Sequence, residues 1–432
     1  MKKRLLIFIF IVFNSQLFAQ SWSPLGIGMT NNVLALAEYN SKLVAAGSFL
    51  SAGGSVVNLI ATWDGTTWTP LGGGMDNHVN CLAVYNGELY AGGWFTMAGG
   101  SPAAHIAKWN GTSWTTLGTG VSNHVYTMTV YQNSLIVGGD FITAGGVTCN
   151  RIAKWNGTTW SALGSGIDGP VPAVFSLAEY NSELYDGGSF EISSGGTYDN
   201  IVKWTGSGWA DVGGGIDNNV ESMVVYNGEL YAGGGYTMAG GNPAASLAKW
   251  NGTAWTAVGS GTTGSVMALA IHNSELYAGG GFSSIGGISA ENIAKFNGTS
   301  WTALGTGTDD YVRTILSSTA GLYVGGEFIA AGTSSANFIA KWGLPSAVNE
   351  LKLQNSNVYP NPGNGHFHID TDAQVVGGQL EIYNSIGELV RTKNIDAVNS
   401  LVDLTDLTNG IYHYSINKNS QMISNGKFNV VK

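Results

Sequence analysis

Short apolar runs punctuated by glycine turns cover most of the chain. Within one stretch they read VNCLAVY (Val79–Tyr85), LYAGGWF (Leu89–Phe95), HIAKW (His105–Trp109) and WTTLG (Trp114–Gly118). Runs of this length, rich in β-branched and aromatic residues and bounded by Asn, Asp and Gly, predict short strands. Asn86-Gly87 and Asn110-Gly111 stand between consecutive runs. Both residues of such a pair accept the positive φ of a type I′ turn, so the runs are expected to pair as hairpins. A longer loop around Ala98-Gly99-Gly100 joins the second run to the third. The unit is thus four antiparallel strands.

The tryptophans show how often this unit recurs. Trp22, Trp68, Trp114, Trp160, Trp209, Trp255 and Trp301 form one series, spaced by 46 residues except for one step of 49. Trp63, Trp109, Trp155, Trp204, Trp250, Phe296 and Trp342 form a second. Thirteen of the 14 tryptophans lie on these registers, and Trp94 is the exception. Four strands in about 46 residues is the size of a propeller blade. The last unit, Val312 to Trp342, has only three runs, while Ser21–Gly26 (SWSPLG) is an orphan fourth run at the other end. Together they make one complete blade, and the expectation is a seven-bladed β-propeller over residues 20–342 closed by the N-terminal strand. A linear solenoid would need distinct capping repeats instead.

Composition narrows the alternatives. Glycine makes up 64 of 432 residues, roughly twice its usual share of about 7%. So much glycine excludes long helices, and its lack of a three-residue period excludes collagen. Only 11% of residues are charged, yet 44% are hydrophobic, which excludes a disordered chain. Residues 20–349 carry nine basic and 20 acidic side chains, a net of −11. Nucleic acid and other polyanions are poor partners for that surface.

Residues 1–19 read as a secretory signal peptide: Lys2, Lys3 and Arg4, then an apolar stretch from Leu5 to Phe13, then Ala19 at the cleavage position. No later apolar run approaches 18 residues, so no transmembrane helix is expected. Cys81 and Cys149 occupy non-equivalent positions of adjacent units, and two unpaired thiols are the simpler expectation even for an exported chain.

The units resemble kelch-type propeller repeats: a diglycine ends the second strand (Gly138-Gly139), an aromatic residue lies in the third (Trp155) and a Trp begins the fourth (Trp160). The resemblance implies fold, not activity. Tryptophan stands where the family usually has tyrosine. Within the units, Glu88, Glu183, Glu229 and Glu275 open second strands and Lys108, Lys203, Lys249 and Lys295 lie near the ends of third strands, which predicts cross-strand ion pairs.

Tryptophan stops after Trp342. A linker over residues 343–350 leads into ordinary β alternation over 351–432, including LEIY (Leu380–Tyr383) and IYHYSI (Ile411–Ile416). This pattern suggests a small Ig-like β-sandwich. The segment closely resembles the type A C-terminal sorting domain of type IX secretion in Bacteroidetes. The matching residues are Tyr359-Pro360-Asn361-Pro362 with Gly365, then Gly387, then Gly410 with Tyr412, and finally Lys427 and Lys432. The resemblance implies export to the periplasm, recognition by the type IX machinery, and release or attachment outside the cell.

Near-identical units act as an internal control, because positions that repeat are structural. Two positions vary. The residue after the first-strand valine is Leu34, Asn80, Tyr126, Phe175, Glu221, Met267 or Arg313. The residue after the diglycine position is Ser48, Trp94, Asp140, Ser189, Gly235, Gly281 or Glu327. Of these, Asn80, Trp94, Tyr126, Asp140, Phe175, Glu221, Arg313 and Glu327 are the candidate ligand-binding residues. Aromatic rings beside carboxylates suit a glycan by stacking and by hydrogen bonds to hydroxyls. Drift at exposed loop edges is the competing explanation. His78 and His124 share one repeat position, but the other units supply no third ligand, so no metal or cofactor is expected. Asp309-Asp310 lacks the spacing of a calcium loop. The Asn-Gly-Thr turns match the N-glycosylation pattern, although Asp64 in the first unit points to turn chemistry. No nucleophile elbow or phosphate loop is present. The expected function is a non-catalytic module that binds a glycan or surface partner on the outer cell surface or beyond it. The alternative is a propeller enzyme acting on extracellular glycans or a redox substrate.

Overall fold

The computed structural model describes residues 20–169, 172–190, 200–343, 356–385, 387–418 and 421–432. The proposed signal peptide and most of the linker lie outside them. The chain divides into two units, Met1–Leu344 and Pro345–Lys432. Among the described residues the only helical segment is a single 3-10 turn, Ala373–Val375.

Among the described residues the first unit contains seven four-stranded antiparallel sheets. Sheet 2 shows the pattern, with strands Val79–Tyr85, Glu88–Gly93, Ile106–Trp109 and Trp114–Thr116. Sheets 1, 3, 4, 5 and 6 begin at Val33, Val125, Ala173, Val220 and Ser265. Sheet 7 joins Val312–Ser318, Gly321–Gly326 and Ile339–Gly343 to Ser21–Pro24 from the other end of the unit. The first strands of successive sheets pack side by side, and that of sheet 7 packs on that of sheet 1. The sheets therefore form a closed, propeller-like ring.

The repeated residues have specific mechanical roles. Each aromatic that ends a third strand pairs across the hairpin with the Trp that begins the fourth, as in Trp109–Trp114 at 5.4 Å and Trp342–Trp22 at 5.0 Å. Except in sheet 6, where the Trp301 N–H is unpaired among the described residues, the fourth-strand Trp also donates its indole N–H to the preceding sheet: Trp114 to the Leu71 carbonyl at 3.0 Å and Trp255 to that of Val212 at 2.7 Å. Trp22 does the same to Leu304 at 2.9 Å, across 282 residues of chain. The diglycine is a steric requirement. A Cβ at Gly139 would lie 2.0 Å from the His124 carbonyl oxygen, and one at Gly138 would lie 2.3 Å from a methyl of Val174 in the next sheet. Gly325 meets Val33 in the same way, at 2.5 Å, across the closure.

The turns differ in kind. Asn86-Gly87 has positive φ at both residues, as a type I′ turn requires. The Asn110 turn is longer, because Trp109 pairs with Trp114 and leaves four residues between them. There the Asn110 side-chain oxygen accepts N–H bonds from Thr112 and Ser113. Asp64 does the same work with Thr66 and Thr67, and these bonds hold its carboxyl well below the usual range. The Ala-Gly-Gly segment, expected as a loop, is itself a small hairpin, Met97–Ala98 with Ser101–Pro102. The second strand consequently stops at Gly93, short of Phe95.

The four Glu–Lys pairs form, with N···O distances of 2.7–2.8 Å. They are partly exposed, so each contributes at most about 1 kcal/mol. Cys81 and Cys149 are free thiols, and burial raises the pKa of both.

The second unit has two sheets, one of three strands (Ser356–Tyr359, His366–Thr371, Asn399–Asp403) and one of four (Leu389–Asn394, Gln379–Tyr383, Gly410–Lys418, Gln421–Val430). Phe367, Ile369 and Val402 of the first sheet share one core with Leu380, Ile382, Tyr412 and Phe428 of the second.

Candidate functional site

All seven residues that follow the first-strand valine are β-bulges. The register of each first strand skips there, for example between Val79 and Cys81 around Asn80, and between Val312 and Thr314 around Arg313. A bulge leaves its residue out of the ladder and re-aims the side chain. The variable positions are therefore free of the pairing rules that constrain their neighbours. The residue after the diglycine lies beside the bulge, because its N–H bonds back to the residue before the valine. Trp94 donates to the His78 carbonyl at 2.8 Å and Asp140 to that of His124 at 3.2 Å.

Sheets 2 to 4 bring aromatic rings together. The Trp94 indole, 39% exposed, stacks with His124 at 4.3 Å and with His78 at 5.8 Å between ring centres. Tyr126 follows at 6.2 Å from His124, and Phe175 at 5.4 Å from Tyr126. Asp140 anchors the row: one carboxylate oxygen accepts from the Tyr126 hydroxyl at 3.2 Å and lies 3.1 Å from His124 Nδ1. Its other oxygen is buried without a partner. Burial, with the Asp140 charge second, pushes the Tyr126 phenol up to about 12, so it remains a donor at neutral pH. Asn80 reaches the neighbouring first strand and donates to the Val125 carbonyl at 3.0 Å.

The remaining arc is charged. Arg313 binds Glu327 at 2.5 Å and lies over the Tyr311 ring at 5.6 Å. Burial raises the Glu221 carboxyl, and the Arg313 charge partly opposes this. The candidates thus fall into two groups, Trp94, Tyr126, Asp140 and Phe175 on one arc and Glu221, Arg313 and Glu327 on another. Asn80 is engaged with backbone.

Sequence reasoning missed His105 and Tyr311. His105 packs edge-on against His124 at 5.4 Å, and burial lowers its pKa, so it is held neutral. It stands at the entry to a third strand with φ +65°, outside both variable positions. Tyr311 shares the repeat position of His78 and His124, which was the available signal. No cluster of three or more His, Cys, Asp or Glu able to hold a metal exists among the described residues. Asp309 accepts the N–H groups of Ile329 and Ala330, a turn role.

The motif residues of the second unit are positioned by its last strand. Asn361, between Pro360 and Pro362, accepts the Asn429 N–H at 2.9 Å. Gly365 has φ +109°, and a Cβ there would lie 2.8 Å from Thr405 Cα. Tyr412 is buried against Phe428 and donates to the Thr408 carbonyl at 3.0 Å. Lys427 pairs with His413 in the ladder, and the Lys432 N–H donates to Asn409 at 2.9 Å. Gly387, with φ +83°, bonds back to the Asn384 carbonyl, and Gly410 opens its strand.

Residues 357–430 match the secretion system C-terminal sorting domain. The sorting domain indicates export by type IX secretion, and the protein is secreted or displayed at the cell surface. No helix among the described residues is long and apolar enough to cross a membrane. No curated protein matches the chain. Among solved structures, the extracellular domain of a one component system from B. thetaiotaomicron is similar at 8% identity, with TM-score 0.51, over 96% of this chain and 58% of that one. PorZ, a surface component of the type IX secretion system of Porphyromonas gingivalis, is similar at 17% identity and TM-score 0.40, over 93% of this chain and 66% of that one. The computationally designed Ika8 protein is similar at 14% identity and TM-score 0.47, over 76% of this chain and all of that one. At 8% identity the likeness to the one component system's domain is one of fold alone.

Proposed function

We propose that the first unit is a seven-bladed, kelch-type β-propeller that acts as a non-catalytic binding module outside the cell, with a glycan as its ligand. Residues 1–19 serve as the signal peptide, and an Ig-like sandwich over 351–432 passes the chain to the type IX machinery. The observation that carries the binding role is the Trp94 row. An exposed indole backed by His78 and His124 sits beside Tyr126, whose hydroxyl is oriented by Asp140. Such a row supplies ring-stacking area together with oriented polar groups.

The test is a glycan array with the secreted chain lacking residues 1–19. Retention of a glycan without turnover is expected, and Trp94→Ala should lower affinity about ten-fold or more, the loss of one stacked ring. Absence of any retained glycan, or an unchanged Trp94→Ala variant, would overturn the reading.

The export route has its own test. A chain lacking the last twenty residues should accumulate in the periplasm. This deletion also removes the whole strand Gln421–Val430 with Phe428 and most of Gly410–Lys418, so it unfolds the domain as well. Lys427→Ala, on an exposed edge of the fold, separates recognition from folding. Normal secretion of the truncated chain would refute the route.

A further inference from the structure

The end of the ring opposite the Trp94 row contains a second break in the repeat. In most sheets a ring ends the first strand and fills the gap to the next sheet. Tyr85 donates to the Asn133 carbonyl at 3.0 Å, Tyr131 to that of Ser182 at 3.0 Å, and His272 bonds Ser317 at 2.9 Å. The acidic residue that opens the second strand lies directly opposite that ring, as Glu88 does opposite Tyr85, and holds the third-strand lysine. Sheets 1 and 3 keep the ring (Tyr39, Tyr131) while replacing the acid with Lys42 and Ser134. Sheet 7 loses both: Ser318 stands opposite Gly321.

These two losses open a cavity of about 290 Å³ between sheets 7 and 1. Leu316 and Tyr323 line the cavity from sheet 7, and Leu43 and Trp63 from sheet 1, with Ser318 and Thr319 and the charged Glu38, Lys42 and Asp64 as polar lining. Lys341, the third-strand lysine of sheet 7, has no carboxylate partner among the described residues. Its stem lies over Gly321, and its ammonium is 6.0 Å from the centre of the Tyr323 ring.

We infer that this cavity is a second binding site, for a single sugar ring carrying one carboxylate at the end of a glycan. The sugar ring occupies the space that a tyrosine fills in sheets 2 to 5, against Trp63 and Tyr323. Its carboxylate replaces the missing glutamate as the partner of Lys341. Its hydroxyls bond Ser318, Thr319 and Glu38. The volume lies at the lower end of the range for small-molecule sites, roughly 300–1,000 Å³, and so admits one ring. A polyanion is disfavoured by the net charge of −11 over residues 20–349.

Calorimetric titration of the chain lacking residues 1–19 tests this with glucuronate, glucose and phenylacetate as probes. Glucuronate is expected to bind about ten-fold more tightly than glucose, the contribution of one charge-assisted hydrogen bond. Ser318→Tyr should abolish binding while leaving the unfolding temperature unchanged or higher, because it restores the ring found in other sheets. Lys341→Met should erase the preference for glucuronate over glucose. Trp94→Ala should leave glucuronate binding intact, which keeps this site's outcome separate from that of the Trp94 row. Absence of glucuronate binding, its persistence in Ser318→Tyr, or tighter binding of phenylacetate would overturn the assignment.

Discussion

Trp22→Ala is expected to lower the stability of the ring by about 4 kcal/mol, within the range for removing a buried tryptophan. The effect should far exceed that of any nearby surface change, because Trp22 lies on the strand that closes sheet 7. Its ring is 7% exposed and packs on Trp342 at 5.0 Å. Its indole N–H is satisfied by the Leu304 carbonyl of sheet 6 at 2.9 Å. Without the indole, Ser21–Pro24 keeps its backbone ladder to Ile339–Gly343 but loses its hydrogen bond to sheet 6 and its packing on Trp342. Denaturant unfolding of the chain lacking residues 1–19, with and without the substitution, measures the difference. A change under about 1 kcal/mol would mean that the N-terminal strand does not hold the ring closed.

Asp186→Ala is expected to act in the opposite direction, raising stability by about 2 kcal/mol at neutral pH, with a clear rise in unfolding temperature. Asp186 has no exposed surface, and neither carboxylate oxygen has a partner among the described residues. It lies in the layer between sheets 3 and 4, two residues beyond Leu184 on the same face of the strand. The equivalent residue is Ala91 in sheet 2, Ala232 in sheet 5 and Ala278 in sheet 6, so an alanine fits this backbone. An unsatisfied buried polar group costs about 1–3 kcal/mol, and an ionised one more. Burial therefore raises the carboxyl well above its ordinary value of 3.8, which favours the protonated form in the folded chain.

The pH dependence follows from that direction. Below pH 3.8 the carboxyl is protonated in both states and the fold bears no ionisation penalty. As pH rises from there towards the raised folded value, the unfolded chain releases the proton and the folded chain does not, so wild-type stability falls. The advantage of Asp186→Ala should therefore grow from pH 4 towards neutrality. Thermal unfolding of both proteins across that interval decides the matter. A constant difference, or a destabilised variant, would show that the carboxylate is satisfied in the folded chain.

Asp186 was legible as a departure from its neighbours, since LYDGG stands where three other units read LYAGG. Its consequence was not, because only the packed layer shows that no donor reaches the side chain. The variable positions of the candidate site were also legible, as the places where Asn80, Tyr126, Glu221 and Arg313 interrupt an otherwise constant pattern. Their shared cause was hidden. A β-bulge is a property of pairing with the second strand, and the first strand read alone carries no sign of it. His105 was missed because it lies at the entry to a third strand and meets His124 only through the packing of sheets 2 and 3.

What the sequence alone determined is the local unit: the order of its four strands, the Asn and Gly turn residues and the 46-residue period. These depend on alternation, on positive φ at turns and on glycine where a Cβ would strike a neighbouring carbonyl, all of which are short-range and written into every copy. The orphan run at Ser21–Gly26 likewise declared its missing partner at the other end of the unit. Tertiary structure decided which irregularities meet. Trp94, His124 and Asp140 flank the ends of different strands of sheets 2 and 3 and become one row of contacts only when those sheets pack together. The cavity at Ser318 and Gly321 exists because the two small residues face sheet 1 at the closure, where no other side chain fills the space.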